Sequence, residues 1–166
     1  ELYGFKILDT QNFETEAGRD SIGSFAFQRT LPRYHDTVDQ YKKIYSAIYG
    51  ASSMIYFDHI APVVLDLDPK SILDFGCGRS DLVTYFWKDG KRTIKKYDPA
   101  IPQYKKMPDD GFDLVICNDV MEHILMADID RIFSDIKTKS KRVIFTISLI
   151  PARAHLPDGR NAHVTL

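Results

Sequence analysis

The sequence predicts an α/β fold in which a mostly parallel sheet carries helices on both faces. Three observations support this prediction. Short apolar segments alternate with helical segments from about residue 69 onward, a pattern typical of parallel strands joined by right-handed crossovers. The first apolar segment runs into two closely spaced glycines, Gly76 and Gly78. Asp74, Asp98 and Asn118 stand where apolar segments end, and ligands bind at the carboxyl ends of strands in such sheets.

Composition excludes several classes of function. The 166 residues fit one domain with a sizeable core. A formal net charge of −1 provides no overall field to attract nucleic acid or an anionic membrane. Cys77 and Cys117 match neither a disulfide framework nor a zinc-binding spacing, which predicts a reducing, cytoplasmic compartment. No apolar stretch approaches the roughly 20 residues that cross a bilayer, and no signal peptide is found, so no membrane partner is expected.

The N-terminal part, residues 1–68, is predicted to be an arm followed by a helical lid. Residues 1–30 mix glycines with polar and aromatic residues, which indicates a loose arm or short strands. A helix from Asp36 to Gly50 is predicted by apolar side chains at three- and four-residue steps: Val38, Tyr41, Ile44, Tyr45, Ile48 and Tyr49. A second helix is predicted from Met54 to Ile60, with an interruption at Pro62.

Residues 69–166 are predicted to form the core of a single domain. Strands are predicted by short apolar runs at 71–75, 92–98, 112–119 and 141–150. Helices are predicted by periodic apolar residues at 81–88 and 121–137.

The segment SILDFGCGRSD, Ser71–Asp81, contains the first candidate site. Glycine is costly in regular structure, so two glycines at the end of a buried strand indicate a sharp turn or a backbone that lies against a ligand. A dinucleotide fingerprint would need a third glycine at position 81, where Asp81 would place a carboxylate against a pyrophosphate. A nicotinamide or flavin dinucleotide is therefore disfavoured.

The pattern Asp74-x-Gly76-x-Gly78-x-Ser80 resembles the first motif of class I S-adenosylmethionine-dependent methyltransferases, with Ser80 in place of the last glycine. The resemblance implies a Rossmann-like sheet and a cofactor held by Asp74, Gly76 and Gly78. S-adenosylmethionine is cationic at sulfur and carries no phosphate, so a loop that contains a carboxylate suits it. An ordinary strand-to-helix turn is the alternative.

Two further motifs follow in the order that this family has. Asp98, in TIKKYDPA, resembles the acidic residue that takes both ribose hydroxyls, a role that suits a carboxylate because it can accept two charge-assisted hydrogen bonds. A turn aspartate before Pro99 is the alternative. The segment FDLVICNDVMEHI resembles the family's fourth-strand motif and implies that Asn118 and Asp119 border the transferring methyl group. The three motifs together span Ser71–Leu149.

The sequence also departs from the family pattern. Only thirteen residues separate Asp98 from Phe112, so the third-strand crossover is expected to be reduced to a loop with a short strand near Lys105–Met107. Sixteen residues follow Ile150, too few for the usual final antiparallel hairpin. Either the C-terminal strands are truncated or the protein continues beyond Leu166.

A candidate metal site combines Asp119, Glu122 and His123 with His163 of the tail ARAHLPDGRNAHV. The set resembles the E-x-x-E-H element and distant histidine of the RNA 3′-terminal 2′-O-methyltransferases, and the E-H pair of the ubiquinone-pathway O-methyltransferases. The resemblance implies a divalent ion such as Mg²⁺ or Mn²⁺ that acidifies an acceptor hydroxyl. Without a metal, His123, His155 or His163 is expected to act as general base, with Asp119 beside it. A helix cap is the alternative for Glu122.

These motifs predict an enzyme that transfers a methyl group from S-adenosylmethionine to an oxygen of an unidentified acceptor. Oxygen is favoured because the N-P-P-Y motif used on exocyclic amines and glutamine amides is absent, and because histidines cluster near the site. The tail also resembles compact methyltransferases of bacteriophages and bacterial glycan-modification clusters. The acceptor class (small molecule, glycan or RNA end), the adenine contact and the oligomeric state stay open. The alternative is a non-catalytic S-adenosylmethionine-binding or structural module with the same fold.

Overall fold

A five-stranded sheet lies at the centre of the part of the chain that the structure describes. The strands are β1 (Lys6–Asp9), β2 (Ser71–Phe75), β3 (Thr93–Tyr97), β4 (Leu114–Asn118) and β5 (Arg142–Thr146). Their order is β1-β5-β4-β2-β3. The β3–β2, β2–β4 and β4–β5 pairs are parallel, and β1 pairs antiparallel with β5. The fold is that of a computed structural model, which describes residues 6–9, 34–44, 55–81, 83–84 and 90–165, with the side chains of 6–9 excluded.

Helices cover both faces of this sheet. Three α-helices are described: α1 (Tyr34–Ile44), α2 (Phe57–Leu67) and α3 (Ile129–Lys139). Alternate strand residues face opposite sides of a sheet, and the core divides accordingly. One cluster joins α2 to Ile72, Leu114, Ile116 and Ile144. The other joins α3 to Leu73, Val115, Val143 and Phe145. The predicted α/β fold, with helices on both faces, is confirmed.

The amino-acid pattern of each strand follows from its place in the sheet. All five residues of β4 are buried, because its faces and both its edges are covered, and its sequence is accordingly an almost continuous apolar run. In contrast, β3 lies at an edge of the sheet, and its burial alternates along TIKKY. The two lysines there have carboxylate partners, Asp110 for Lys95 and Asp81 for Lys96.

The predicted helix at 121–137 is wrong in its first part. Two short 3₁₀ turns, Met121–His123 and Met126–Asp128, come before α3. Hydrogen bonds to the tail explain the difference, because the carbonyls of Glu122 and Ile124 accept from the backbone N–H and the hydroxyl of Thr165. Carbonyls occupied in this way are not available to continue a helix.

The crossover after β3 is a loop, as predicted, but the expected strand near Lys105–Met107 is wrong. One 3₁₀ turn, Pro102–Tyr104, takes its place. The backbone N–H of Asp98 donates to the carbonyl of Tyr104 at 3.0 Å, which closes the loop on itself. The strand order explains why no strand forms in this crossover. The chain must pass from β3 across β2 to β4, and the crossover is too short to hold another strand as well.

Two other predicted boundaries shift. Pro62 does not interrupt α2. A proline has no N–H to donate to the carbonyl of Asp58, but Asp58 and Pro62 are both exposed, so this carbonyl lies on the solvent side of the helix. The last strand ends at Thr146 rather than at Ile150, since its partner β4 ends at Asn118, which pairs with Thr146.

Both chain ends contribute to the architecture around the sheet. The arm supplies β1, which covers the free edge of β5. Within the described residues no strand follows β5. The tail instead folds back over α1, where Leu156 and Ala162 are buried against Val38 and Tyr41.

Three sequence predictions stay untested by the structure. Most of the helix at 81–88 and the end of the first helix, 45–50, lie outside the described residues. The division into a lid, 1–68, and a core, 69–166, also stays a prediction.

None of the helices described is both long enough and apolar enough to pass through a bilayer.

Candidate active site

A cavity of about 430 Å³ lies at the carboxyl ends of the parallel strands. Its walls come from α1, from the loop after β2, from Asp98–Ala100, from Asn118–Val120 and from residues 148–154. The strand order places β2 and β3 on one side and β5 on the other, with β4 between them. This is the place where α/β sheets of this kind bind their ligands, and the volume is within the range of small-molecule sites.

The glycine loop after β2 is held in a conformation that side chains disfavour. Gly76 and Gly78 have φ angles of +71° and +53°, in the left-handed region that glycine adopts without strain. A Cβ atom at Gly76 would lie 2.3 Å from Cγ2 of Val120. The Gly76 N–H donates to the carbonyl of Tyr97 at 2.7 Å. The loop is therefore pressed against the turn after β4, and only glycine fits at position 76.

Asp98 ties the end of β3 to this loop. Its side chain is buried, and its two oxygens accept hydrogen bonds from the N–H of Gly78 at 2.9 Å and of Ala100 at 2.8 Å. These two hydrogen bonds fix the glycine loop to the end of β3.

Two further polar side chains lie at the strand ends. Asp74 is buried, and burial raises the pKa of its carboxyl to about 7, against the opposing effect of the Lys96 charge. Asn118 is also buried; its Oδ1 accepts from the hydroxyl of Thr146 at 3.4 Å, while its Nδ2 has no hydrogen-bond partner among the described residues. A buried amide donor without a partner costs about 1–3 kcal/mol, so this arrangement favours a bound ligand.

Asp119 marks the sharp turn after β4. Its φ of +50° is in the left-handed region, which aspartate tolerates better than most residues. Its N–H donates to the carbonyl of Thr146 at 2.9 Å. Such conformations cluster at functional sites, and this one brings Asp119 and Val120 into the cavity wall.

Glu122 is a buried carboxyl group beside the cavity. Its side chain is 2% exposed, and Oε1 accepts the Ser148 N–H at 2.8 Å. Burial raises the pKa of this carboxyl to about 7, and the neighbouring charge and hydrogen bond of Asp119 act in the same direction. The group is therefore easily protonated near neutral pH.

His123 is fixed in one tautomer by α1 and the tail. Its Nδ1 lies 2.8 Å from the carbonyl of Ala162 and 3.1 Å from the hydroxyl of Tyr41. The Tyr41 hydroxyl itself donates to the carbonyl of Ala162 at 2.5 Å. Burial lowers the pKa of His123 to about 4, so the ring is neutral at pH 7. A proton on Nδ1 then leaves the lone pair on Nε2.

His163 repeats this arrangement from the tail. Its Nδ1 lies 2.6 Å from the carbonyl of Ile150, so Nδ1 carries the donated proton. Asn161 positions this segment, since its Oδ1 accepts the N–H groups of Ala152 and His163, both at 2.9 Å. The rings of His123 and His163 meet edge to face, with centroids 4.9 Å apart.

Three of the four predicted metal ligands come together. Glu122, His123 and His163 each offer a ligand atom, and these atoms lie within 4.8 Å of one another. Asp119, the fourth predicted ligand, is not in this group. His155, the other histidine considered as a base, is exposed and does not line the cavity.

The sequence analysis missed two residues of this site. Thr37 is 3% exposed and lines the cavity, and its hydroxyl has no hydrogen-bond partner among the described residues. Asn161 was not singled out either. Their roles depend on how α1 and the tail meet, and that contact leaves no local sequence pattern. The DGRNAH segment was the one available indication for Asn161.

Comparison with known proteins gives a family match and a distant structural likeness. Residues 55–162 match the family model described as a methyltransferase domain. No curated protein matches the chain. Solved structures that match include one titled "DhpI-SAH complex structure", with 15% sequence identity and a TM-score of 0.44. That alignment covers 76% of this chain and 78% of the other.

Proposed function

Because this chain belongs to the methyltransferase domain family and is an S-adenosylmethionine-dependent methyltransferase of class I, we propose that it methylates an oxygen atom of its acceptor. One observation carries this proposal: His123 lines the cavity as a neutral ring whose Nδ1 is occupied by the Ala162 carbonyl. A general base is required when the attacking atom carries a proton, as a hydroxyl does. The Nε2 lone pair of His123 supplies that base.

The described residues fit the cofactor. Gly76 and Gly78 allow backbone to approach the ligand closely, and Asp98 offers acceptor capacity for the ribose hydroxyls. The buried Asp74 carboxyl offers a partner for the ammonium group of the methionine part, and that positive charge would lower the pKa of Asp74 from about 7. Asn118 offers its amide donor at the same strand ends.

The reaction requires alignment and the removal of one proton. S-adenosylmethionine supplies a methyl group on a positively charged sulfur, and its transfer to a hydroxyl forms a C–O bond, breaks the C–S bond and leaves a neutral thioether and a proton. The cavity walls orient the reactants and exclude water. His123 accepts the proton at Nε2, Tyr41 fixes the ring, and His163 and Asp119 form the polar surroundings of the transfer.

The first test concerns the cofactor site. We predict that Asp98→Ala weakens the binding of S-adenosylhomocysteine by about 30-fold or more, because charge-assisted hydrogen bonds of roughly 1.5–3 kcal/mol each are lost and the glycine loop loses its anchor. Isothermal titration calorimetry on the wild type and the variant measures the effect. Asp110→Ala, which removes an exposed carboxylate on Lys95, is the control and should bind as the wild type does. Equal affinities in all three proteins would contradict the assignment of Asp98.

We also propose that Glu122, His123 and His163 hold a divalent ion that acidifies the acceptor hydroxyl. Both histidines donate Nδ1–H to backbone carbonyls, and this second contact is typical of metal-binding histidines because it orients the ring. Two imidazoles and one carboxylate favour Mn²⁺ or Zn²⁺ over Mg²⁺, which prefers oxygen ligands. In this arrangement both imidazoles would be ligands, the metal would lower the pKa of the acceptor hydroxyl, and the released proton would pass to water.

Metal titration tests this second proposal. We predict that Mn²⁺ binds the wild type at one site and that His163→Ala weakens binding by at least about tenfold, as loss of one of three protein ligands requires. His155→Ala removes an exposed imidazole from the same tail and should leave binding unchanged. Calorimetry with Mn²⁺ alone gives both affinities. If His163→Ala binds Mn²⁺ as tightly as His155→Ala, the metal site is not formed by these residues.

A reducing, cytoplasmic location is retained as a proposal. It is supported by Cys77 and Cys117, which are both free, buried thiols.

A further inference from the structure

The cavity divides into a cofactor half and an acceptor half. The glycine loop and Asp98 follow β2 and β3, whereas residues 148–154 follow β5. Because β4 lies between β2 and β5 and strands are about 4.8 Å apart, the segment after β5 begins roughly 10 Å from the cofactor loop. The acceptor must therefore approach from the side of β5, next to Asp119 and His123 at the end of β4.

One cationic side chain lies in the wall of this acceptor half. Among the described residues that line the cavity, Arg153 is the single lysine or arginine. The carboxyl groups that line the same cavity are Asp74, Asp98 and Asp119, all at the ends of β2, β3 and β4. Within the described ranges, the Arg153 guanidinium makes neither an ion pair nor a hydrogen bond, although eight other described lysine and arginine side chains have carboxylate partners: Lys42, Lys70, Arg92, Lys95, Lys96, Lys106, Arg131 and Arg160.

The surroundings of Arg153 are apolar. Ile150, Pro151, Ala152 and Ala154 line the cavity on either side of it. Leu149 and Ile150 are 75% and 65% exposed, unusual values for such large apolar residues. Exposed apolar side chains grouped beside a cavity are typical of ligand-binding surfaces.

A second observation indicates a polar ligand in the same cavity. The Thr37 hydroxyl, on α1, is buried and makes no hydrogen bond within the part of the chain that the structure describes. Its helix packs against Ala152 and Ala154, the two neighbours of Arg153. A hydroxyl buried without a partner is unfavourable, so a ligand oxygen that approaches α1 would satisfy it.

We propose that the acceptor carries an oxyanion, either a carboxylate or a phosphate, and that this group binds Arg153. The oxyanion is attached to an apolar body that packs against Ile150 and Pro151. Guanidinium groups bind these oxyanions with two parallel hydrogen bonds. The unpaired cation offsets the negative charge of the aspartates and makes the acceptor half suitable for an anion. This inference rests on the proposed function, since it assumes that the acceptor half holds the methylated molecule.

Small anions as probes test the proposal without knowledge of the acceptor. The protein is saturated with S-adenosylhomocysteine and titrated with benzoate, with neutral benzamide and with inorganic phosphate, and binding is followed by calorimetry or by NMR shifts. We expect benzoate to bind at least tenfold more tightly than benzamide, and Arg153→Gln to remove that preference while Arg153→Lys retains part of it. Phosphate binding that depends on Arg153 identifies phosphate as the preferred oxyanion; benzoate binding alone identifies a carboxylate.

Arg142→Gln is the matched control. Arg142 is the first residue of β5, at the opposite end of the strand from residues 148–154, and its substitution should change none of these affinities. Equal benzoate affinity in the wild type and Arg153→Gln, or benzamide binding as tight as that of benzoate, would overturn the proposal. Failure of S-adenosylhomocysteine itself to bind would count against the proposed function, whereas failure of both anions to bind the saturated protein overturns the acceptor proposal alone.

Discussion

Gly76→Ala is expected to destabilise the protein by about 3 kcal/mol and to abolish cofactor binding. The new methyl group would lie 2.3 Å from Cγ2 and 2.9 Å from Cγ1 of Val120, and the residue would keep a φ of +71°. Overpacking of a core costs about 1–3 kcal/mol, and a left-handed conformation adds roughly 1–2 kcal/mol for a residue with a Cβ. For a chain of this size the melting temperature should fall by about 10 °C. Thermal and urea unfolding measure the change.

Two controls separate steric overlap from backbone strain. Gly90→Ala has nearly the same φ, +69°, but no atom of the described residues lies within 4 Å of the added methyl, so it should cost only the strain of about 1–2 kcal/mol. Val120→Ala removes both overlapping methyl groups. In the double variant Gly76→Ala, Val120→Ala, the combined destabilisation should therefore be smaller than the sum of the single effects. If Gly76→Ala costs no more than Gly90→Ala, the contact with Val120 does not constrain the loop.

The parts of the fold that the sequence predicted well are those where one physical requirement determines a short segment. The strands β2 and β4 are buried on both faces, and this burial requires the apolar runs from which they were predicted. The glycine loop requires Gly76 because backbone and Val120 leave no space there. Asp98 was singled out because it resembles the family's acidic residue at the end of the second strand and follows Asp74 by one helix, and the structure places it beside the loop.

The parts that could not be predicted depend on contacts between distant segments. The residues Met121–Asp128 have helical periodicity, yet Thr165 takes the carbonyls of Glu122 and Ile124 from forty residues away. The tautomer of His123 depends on Ala162, and Tyr41 reaches the same carbonyl from α1. Local propensity carries no information about such pairs, so the sequence indicated candidate site residues but not the residues that orient them.

The free energy of unfolding is expected to fall with rising pH because of Glu122. Burial raises the pKa of this carboxyl from 4.5 to about 7 in the folded protein. The folded state then binds a proton more tightly than the unfolded state, so the stabilisation is complete below about pH 4.5 and is lost as the pH rises through 7. A single group with this shift lowers the stability by about 2–3 kcal/mol between pH 5 and pH 8. Glu122→Gln removes the titration, and its Oε1 can still accept the Ser148 N–H.

The measurement is the difference in unfolding free energy between Glu122→Gln and the wild type, both treated with chelator. This difference should rise by about 2–3 kcal/mol in favour of the variant from pH 5 to pH 8. Asp74 and His123 titrate in both proteins, so their contributions cancel to first order. Asp113→Asn is the control: backbone hydrogen bonds hold the pKa of that carboxyl below its usual value, so its difference from the wild type should be flat over this range.

The same unfolding measurement with a divalent metal distinguishes whether Glu122 is only a buried carboxyl group or also a metal ligand. A cation favours the ionised form of Glu122, so saturating Mn²⁺ should restore the stability of the wild type at pH 8 and have little effect on Glu122→Gln. If the difference between the two proteins does not change from pH 5 to pH 8 without metal, Glu122 is ionised in the folded state throughout, and the surroundings of this carboxyl are more polar than its burial implies. If Mn²⁺ stabilises both proteins equally, the ion binds elsewhere, and His123 alone is left as the base for the transfer.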